Sequence, residues 1–284
     1  MLNNATLPIV LSIAGTDPSG GAGVQADIKT ISATGCYAAS VTTILVAQNT
    51  QGVQAIQEIP LPFIQQQIDS VFTDLQFSAV KLGMLYSKEI ILLVANNLKK
   101  YQPPYIVLDP VMAAQSGDSL LKADAINKLK KDLFPLVTLI TPNIPEAEML
   151  LDINIMDPEQ MKSAAITLAE TYSISVLIKG GHLKGHPDSP DILYDREQKK
   201  IIFFNSPRIN TPHTHGTGCT LSSAIASYLA QGYVLNEAIA NAKAYLYQTI
   251  NAGKKLKIGK GSGPVNHFYY LPTIANTLFK KGST

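Results

Sequence analysis

Tryptophan is absent from the 284 residues, cysteine occurs only twice and histidine five times. Cys36 and Cys219 cannot build a disulfide framework, and neither has the Cys-x-x-Cys spacing that would hold zinc. The histidines are scattered and make no His-Glu-x-x-His pattern. His213 and His215 form an HxH pair, yet no third soft ligand stands at a sensible spacing from them. Charge is also scarce: charged residues make up 15% and the formal net charge is +2. No basic stripe with interleaved aromatics is present, so nucleic acid is excluded as a partner. The densest cationic stretch, Lys254, Lys255, Lys257 and Lys260, reads as a solvated face, with phosphate attraction as the lesser reading. No apolar run reaches the ~18–20 residues of a membrane span. The run 7–14 lacks the positive flank of a signal peptide, because no Lys or Arg precedes Lys29. These absences point to a cytoplasmic chain that binds neither membrane nor nucleic acid.

What is present is material for a core: hydrophobic residues make up 46%, which excludes disorder. Short apolar, β-branched runs recur at 8–14, 41–46, 79–82, 105–108, 137–140 and 176–178. Continuous apolarity suits strands covered by helices on both faces. Helical periodicity fills 63–75, 88–100, 123–134 and 158–172, and this βαβ rhythm predicts a doubly wound, mostly parallel sheet. The rhythm breaks at 191–206, where two apolar segments flank a charged one, and an antiparallel hairpin at a sheet edge is expected. Further helices are expected from near Cys219 and near Asn236. With no repeat and no long linker, one domain over 1–284 is the economical reading.

In open α/β sheets ligands bind outside the carboxyl ends of the strands, and the polar punctuation falls there. Gly15 to Gly23 follow the first run and Gln48-Asn49-Thr50 the second. Gly83-Met84, Asp109-Pro110, Thr141-Pro142-Asn143 and Lys179-Gly180-Gly181-His182 follow the others. Each alone reads as a turn; together on one rim they predict a site. The 15–23 loop is neither GxGxxG nor a GxxxxGK[ST] phosphate loop. On its helix, expected over 21–34, Asp27 lies beside the apolar stripe of Val24, Ile28 and Ile31. A buried carboxylate must be paired or meet a ligand, and the pattern leaves a cap, a salt bridge and a ligand contact all open. Asn143 and Glu146 stand at a helix start, where Glu146 is either a helix-start charge or a ligand for a hard cation.

The segment Thr214-His215-Gly216-Thr217-Gly218-Cys219 is the most informative. Glycines just before a helix let backbone N–H groups converge on an anion, favoured there by the helix dipole, and such a turn can stabilise a transferring phosphoryl group. Cys219 falls on the first helical turn, where a thiol pKa tends to fall; the alternative is a buried structural cysteine. Cys36 is assigned to packing.

In their order along the chain these motifs resemble hydroxymethylpyrimidine/phosphomethylpyrimidine kinases of the ribokinase-like superfamily. The likeness runs from Ala14–Gly23 through Lys81-Leu82-Gly83-Met84 and Asp109-Pro110-Val111-Met112 to a tail at 259–268. It implies a ribokinase-like αβα sandwich with a mostly parallel central sheet, often assembled as a homodimer. It also implies ATP with Mg²⁺ and two successive phosphorylations, of an aminopyrimidine alcohol and then of its monophosphate, for thiamine biosynthesis. Carried over by position, Asp27 and Gln48 would hydrogen-bond the aminopyrimidine, with Met84 and Val111 against its ring. Gly216, Thr217 and Gly218 would stabilise the transferring phosphoryl group. Cys219, standing where many superfamily members have Asp, would activate or orient the hydroxyl. Lys179, Asn143 and Thr211 would lie on the nucleotide side, and Asp109 and Glu146 would arrange Mg²⁺. A pyridoxine/pyridoxal kinase and a non-catalytic pyrimidine-binding module are the rival readings. Gln48 favours the pyrimidine over the pyridoxine alcohol, and intact Lys179, Glu146 and Cys219 favour an enzyme. The lack of a GxSxG elbow to expose a nucleophilic Ser argues against a hydrolase.

Overall fold

In each strand of the main sheet, alternate residues feed two separate apolar layers. Leu11, Ile13, Val80, Leu82, Leu108, Val176 and Ile178 enter one cluster. Their immediate neighbours Val10, Ala79, Val107, Leu139 and Leu177 enter the other. The period-2 geometry of a strand thus turns one unbroken apolar run into two cores, one on each face.

The computed structural model describes residues 7–112, 120–122, 124–183, 188 and 190–271. The chain begins β1 (Ile9–Ala14), α1 (Gly23–Ala33), β2 (Tyr37–Thr42), β3 (Ile44–Asn49), β4 (Gly52–Glu58) and α2 (Leu61–Phe72). Next come β5 (Ala79–Leu82), α3 (Lys88–Tyr101), β6 (Ile106–Leu108), α4 (Ala125–Lys128), β7 (Leu139–Ile140) and α5 (Ile144–Leu151). It ends with α6 (Pro158–Tyr172), β8 (Ser175–Ile178), β9 (Asp191–Asp195), β10 (Lys200–Phe204), α7 (Thr217–Ala230) and α8 (Leu235–Gly253). Among the described residues, eight strands form one sheet in the order β10-β9-β8-β7-β6-β5-β1-β2. From β8 to β2 all pairings are parallel, and β9 and β10 run antiparallel at the edge. Residues of α1, α7 and α8 cover one face, and residues of α2, α3, α5 and α6 the other. The expected αβα sandwich with an edge hairpin is what the chain forms.

Two expectations are corrected. The run 41–46 is not one strand: it breaks at buried Thr43, sending β2 into the main sheet and β3 into a separate two-stranded sheet with β4. Thr43 serves as a pivot because its N–H donates to Ala14 O (3.0 Å) and its Oγ1 to Met84 O (2.7 Å). The backbone N–H at the break is thereby met. The helix expected over 123–134 begins at α4, position 123 lying outside the described residues. It then widens into a π turn (Leu129–Leu133) and ends in a 3₁₀ turn (Phe134–Leu136). Pro135, without an N–H, cannot continue an α-helix.

The β3–β4 sheet stands over the carboxyl rim. Ile44 and Val46 point inward, while Leu45 and Ala47 face out. The register skips Gln54 of β4, since Ala47 opposes Ala55 but Gln48 opposes Val53. This bulge is on β4, so the inward alternation of β3 continues through Gln48.

Candidate active site

The loops leaving β1, β5, β6, β7 and β8 meet the start of α7 around a cavity of about 550 Å³ beneath the β3–β4 sheet. Its walls differ. On one side Ile44, Val46, Met84 and Leu120 form an apolar cluster, with Val111 packed against it. Gln48 adds an amide to that wall, and Met84 and Val111 line the cavity beside it.

Opposite lies a charged corner. Lys179 Nζ is 2.7 Å from Asp109 Oδ1 and 4.0 Å from Glu146 Oε2. Thr141 Oγ1 donates to the same Asp109 oxygen at 3.1 Å. Glu146 and Asn143 make a reciprocal capping box at the start of α5: Glu146 N–H donates to Asn143 Oδ1 (2.9 Å), and Asn143 N–H to Glu146 Oε2 (2.8 Å). Burial pushes Glu146 up to about 7; Lys179 opposes that rise and the Asp109 carboxylate adds to it. Burial lowers Lys179, but Asp109 and Glu146 outweigh it and hold the ammonium above its usual range. Two near-buried carboxylates share one lysine, so the corner carries surplus negative charge, and this donor set suits a hard cation with oxygen ligands.

Between the two walls α7 begins. No side chain caps it and no acidic residue lies in its first turn, so its N-terminus offers backbone amides to an anion. Gly216 reaches this position at φ +81° with its Cα against the 15–23 loop; a Cβ there would sit 1.8 Å from Gly21 O. Only glycine tolerates both demands. The two glycine-rich segments are thereby packed backbone to backbone.

Cys219 lines the cavity from the first turn of α7, but the expectation of a lowered thiol pKa is overturned. Burial pushes the thiol up to about 11; Lys81 pulls it down, while Asp27 and Asp109 add to the rise. Desolvation among packed side chains, with carboxylates nearby, outweighs the helix terminus.

Two residues do not stand where the sequence reading put them. Asp27 is fully buried beneath the cavity, and its oxygens accept from Ser12 Oγ (2.6 Å), Ser223 Oγ (2.7 Å) and Lys81 Nζ (2.8 Å). Of the roles left open for it, the salt bridge is realised. Thr211 accepts from His213 N–H at 3.1 Å and organises its own turn, away from the cavity lining. The HxH pair is spent on structure: His213 Nδ1 accepts from Gly263 N–H (3.1 Å) and His215 Nε2 donates to Asp17 Oδ2 (2.7 Å). Among the described residues no cluster of three His, Cys, Asp or Glu is arranged as a metal site. Cys36 is buried against Ser227, as expected, and the lysines 254, 255, 257 and 260 are exposed.

The sequence reading missed one side of the cavity. Arg208, whose guanidinium donates to the carbonyls of Gly181 (2.7 Å) and Leu183 (3.0 Å), lies there with Lys243, Leu246, Tyr247 and Ile250 of α8. The i, i+3, i+4, i+7 spacing of the α8 group is visible in the sequence, but it reads as any helix face that packs on a core.

The phosphomethylpyrimidine kinase family model matches residues 17–266. The hydroxymethylpyrimidine/phosphomethylpyrimidine kinase of Rhizobium meliloti is 46% identical over 262 residues, covering 92% of this chain and 97% of its own. The thiamine biosynthesis bifunctional protein ThiED of Geobacter sulfurreducens is 50% identical over 258 residues; these cover 91% of this chain but 52% of that protein, so the chain spans about half its length. An ADP complex of Bacillus subtilis pyridoxal kinase superposes with a TM-score of 0.85 at 34% identity, covering 93% of this chain and 99% of that one.

Proposed function

The chain belongs to the phosphomethylpyrimidine kinase family, and from that premise we propose that it phosphorylates 4-amino-5-hydroxymethyl-2-methylpyrimidine with ATP, then phosphorylates the monophosphate to the diphosphate used in thiamine biosynthesis. One observation carries the reading: a single cavity joins an amide-tipped apolar wall to an uncapped helix start and a cation-seeking corner. The first suits a flat amino-heterocycle; the others suit phosphates.

In this reading Gln48 hydrogen-bonds the pyrimidine while Met84 and Val111 cover its face. The amides of Gly216, Thr217 and Gly218 take the charge of the moving phosphoryl group, and Lys179 neutralises nucleotide phosphate. Asn143 fixes Glu146 through the capping box, and Glu146 with Asp109 would hold Mg²⁺ through oxygen and water. When bound, that ion would neutralise phosphate charge. Cys219, a neutral thiol at ordinary pH, orients the hydroxyl that attacks. Arg208 and the α8 face would receive the remainder of the nucleotide; the ADP complex of the Bacillus subtilis relative supports nucleotide use. Asp27 acts from below the site, as the partner of Lys81.

The proposal extends to one kinase domain over 1–284, cytoplasmic residence and a homodimer. Among the described residues no helix is long and apolar enough to cross a membrane. Leu45, exposed on the outer face of β3, offers apolar surface to a second copy.

The test is to incubate the protein with ATP, Mg²⁺ and the hydroxymethylpyrimidine and to identify products by mass. The monophosphate followed by the diphosphate is expected. Pyridoxine is the control, since a pyridoxal kinase shares the fold; a higher kcat/KM for pyridoxine would transfer the assignment to that alcohol.

A further inference from the structure

Asp17 and His215 are 198 residues apart and belong to different loops, yet His215 Nε2 lies 2.7 Å from Asp17 Oδ2, with both residues buried. The pair is built into the fold. Asp17 also accepts from Ser19 N–H (2.9 Å) and Oγ (2.7 Å), Gly21 N–H (3.1 Å) and Ala22 N–H (2.7 Å). The imidazole packs against Gly21, where a Cβ would come within 2.3 Å of its Cδ2, and Pro264 closes on the same spot. The His215 backbone N–H donates to Gly263 O at 3.2 Å, which fixes the main chain that carries the ring. The ring therefore has one place to be.

Its second neighbour is Gln48, whose amide nitrogen is placed 3.4 Å from the same Nε2. Among the described residues this is the amide's hydrogen-bond partner, and Gln48 lies on the cavity wall. A carboxylate that accepts four other donors is ionised. Although burial works against the charge, the bonds from His215 and Ser19 hold Asp17 down at about 2. The proton of the Asp17–His215 contact therefore resides on Nε2. An N–H cannot accept from an amide NH₂, so the amide fits this neighbour only when turned over, its carbonyl oxygen taking the longer branch of an N–H given chiefly to Asp17; amide oxygen and nitrogen are told apart by such partners.

We propose that His215, held by Asp17, is a positioning residue that turns the Gln48 carbonyl toward the imidazole and leaves the Gln48 NH₂ as a hydrogen-bond donor for the substrate. Building on the kinase reading above, this names what the wall selects: a ring with an unprotonated nitrogen acceptor facing Gln48. A neighbouring exocyclic amine would meet the carbonyl on the His215 side. An alcohol whose ring offers only a donor there leaves the amide unpaired, and it is rejected by that desolvation.

Two measurements decide it. In ¹⁵N-histidine-labelled protein without ligands, long-range ¹⁵N–¹H spectra are expected to show His215 with a proton on Nε2. An unprotonated Nε2 overturns the proposal. In kinetics, Gln48→Glu keeps an acceptor toward His215 but removes the donor, so KM for the aminopyrimidine alcohol should rise at least thirtyfold while KM for ATP stays within threefold. A KM within threefold of wild type means that the carbonyl, not the NH₂, served the substrate, and the proposal falls. His215→Leu should raise the same KM about tenfold with kcat reduced less than threefold, and His215→Gln, which restores an N–H, should recover most of it. Equal losses for both His215 variants, in KM for ATP as well, would mark a merely structural role and also overturn it. If the wild-type protein does not turn over the aminopyrimidine at all, the functional reading fails, while the histidine spectra still decide the placement of the proton.

Discussion

Lys81 Nζ lies 2.8 Å from both carboxylate oxygens of Asp27, and neither side chain is exposed. Lys81 is in the middle of β5 and Asp27 on α1, so the pair ties the central sheet to a helix directly under the cavity. Burial would lower the lysine, but Asp27, with Cys219 and Asp109 adding to its effect, outweighs burial and raises the ammonium above its usual range.

Removing one partner strands the other. Asp27→Ala leaves a buried ammonium uncompensated and should destabilise the fold by about 3–5 kcal/mol. Pairing it with Lys81→Met removes both charges, and the double variant should recover a large part of that loss. Chemical denaturation of the four proteins checks the cycle. Additive losses would mean that the two residues do not interact as the geometry requires.

That pair also marks where sequence reading stops. A carboxylate on the stripe of α1 signalled that something must meet it, but a ligand and a lysine satisfy the same pattern. The partner was 54 positions away, as the lone charge in the apolar strand Ala79–Leu82. The layers were legible for a different reason: strands buried on both faces need unbroken apolar runs, and β5 and α6 appear at the boundaries the periodicity gives. The break at Thr43 was not legible, because a β-branched residue whose N–H and hydroxyl are met by Ala14 and Met84, far away in sequence, looks like one more strand position. β4 is half polar and largely exposed, so no apolar run announced it. At the site, glycine and lysine positions were legible as departures from core composition. The thiol environment was not, because it depends on Asp27, Lys81 and Asp109 converging from three elements.

Cys219 offers a direct check on that environment. With its thiol pushed up to about 11, roughly one molecule in a thousand or fewer carries the thiolate at pH 7.5. Alkylation of Cys219 by iodoacetamide, followed by peptide mass analysis, should be slow at pH 7.5 and should accelerate about tenfold per pH unit up to pH 10. A fast reaction that levels off near pH 7 would show a lowered pKa after all. Cys219→Ala should still cut kcat by roughly 10²-fold, the scale of losing one group that orients and polarises the attacking hydroxyl, with KM for ATP little changed. Near-normal kcat would remove Cys219 from the mechanism.

Gly216 tests the contact between the two glycine-rich segments. Alanine at φ +81° costs roughly 1–3 kcal/mol in backbone strain, and its Cβ must also displace Gly21 from a 1.8 Å overlap. The start of α7 would shift relative to the 15–23 loop. Gly216→Ala should lower Tm and reduce kcat by about 10²-fold or more, since a misplacement near 1 Å can cost that much. An unchanged kcat in a destabilised protein would separate this turn from catalysis.

Glu146 sets stability against function. Its folded pKa, raised by burial to about 7, lies above the ordinary carboxyl value of 4.5. A raised pKa means that the protonated form is the one the fold favours. The associated stability is fully present below pH 4.5 and is lost as pH rises through 7. Glu146→Gln removes the titration, yet its amide oxygen can still accept from Asn143 N–H in the capping box. Without metal or nucleotide, the variant should match wild type near pH 4.5 and become more stable above pH 7, by up to roughly 3 kcal/mol from the linkage. Its kcat should collapse. Adding Mg²⁺ with nucleotide should raise the Tm of the wild type more than that of the variant, because the surplus negative charge that weakens the empty corner is what binds the cation. Tm measured from pH 5 to 9, with and without Mg²⁺ and nucleotide, reads all of this. A variant less stable than wild type at pH 8 would mean that the capping role of Glu146 outweighs its burial.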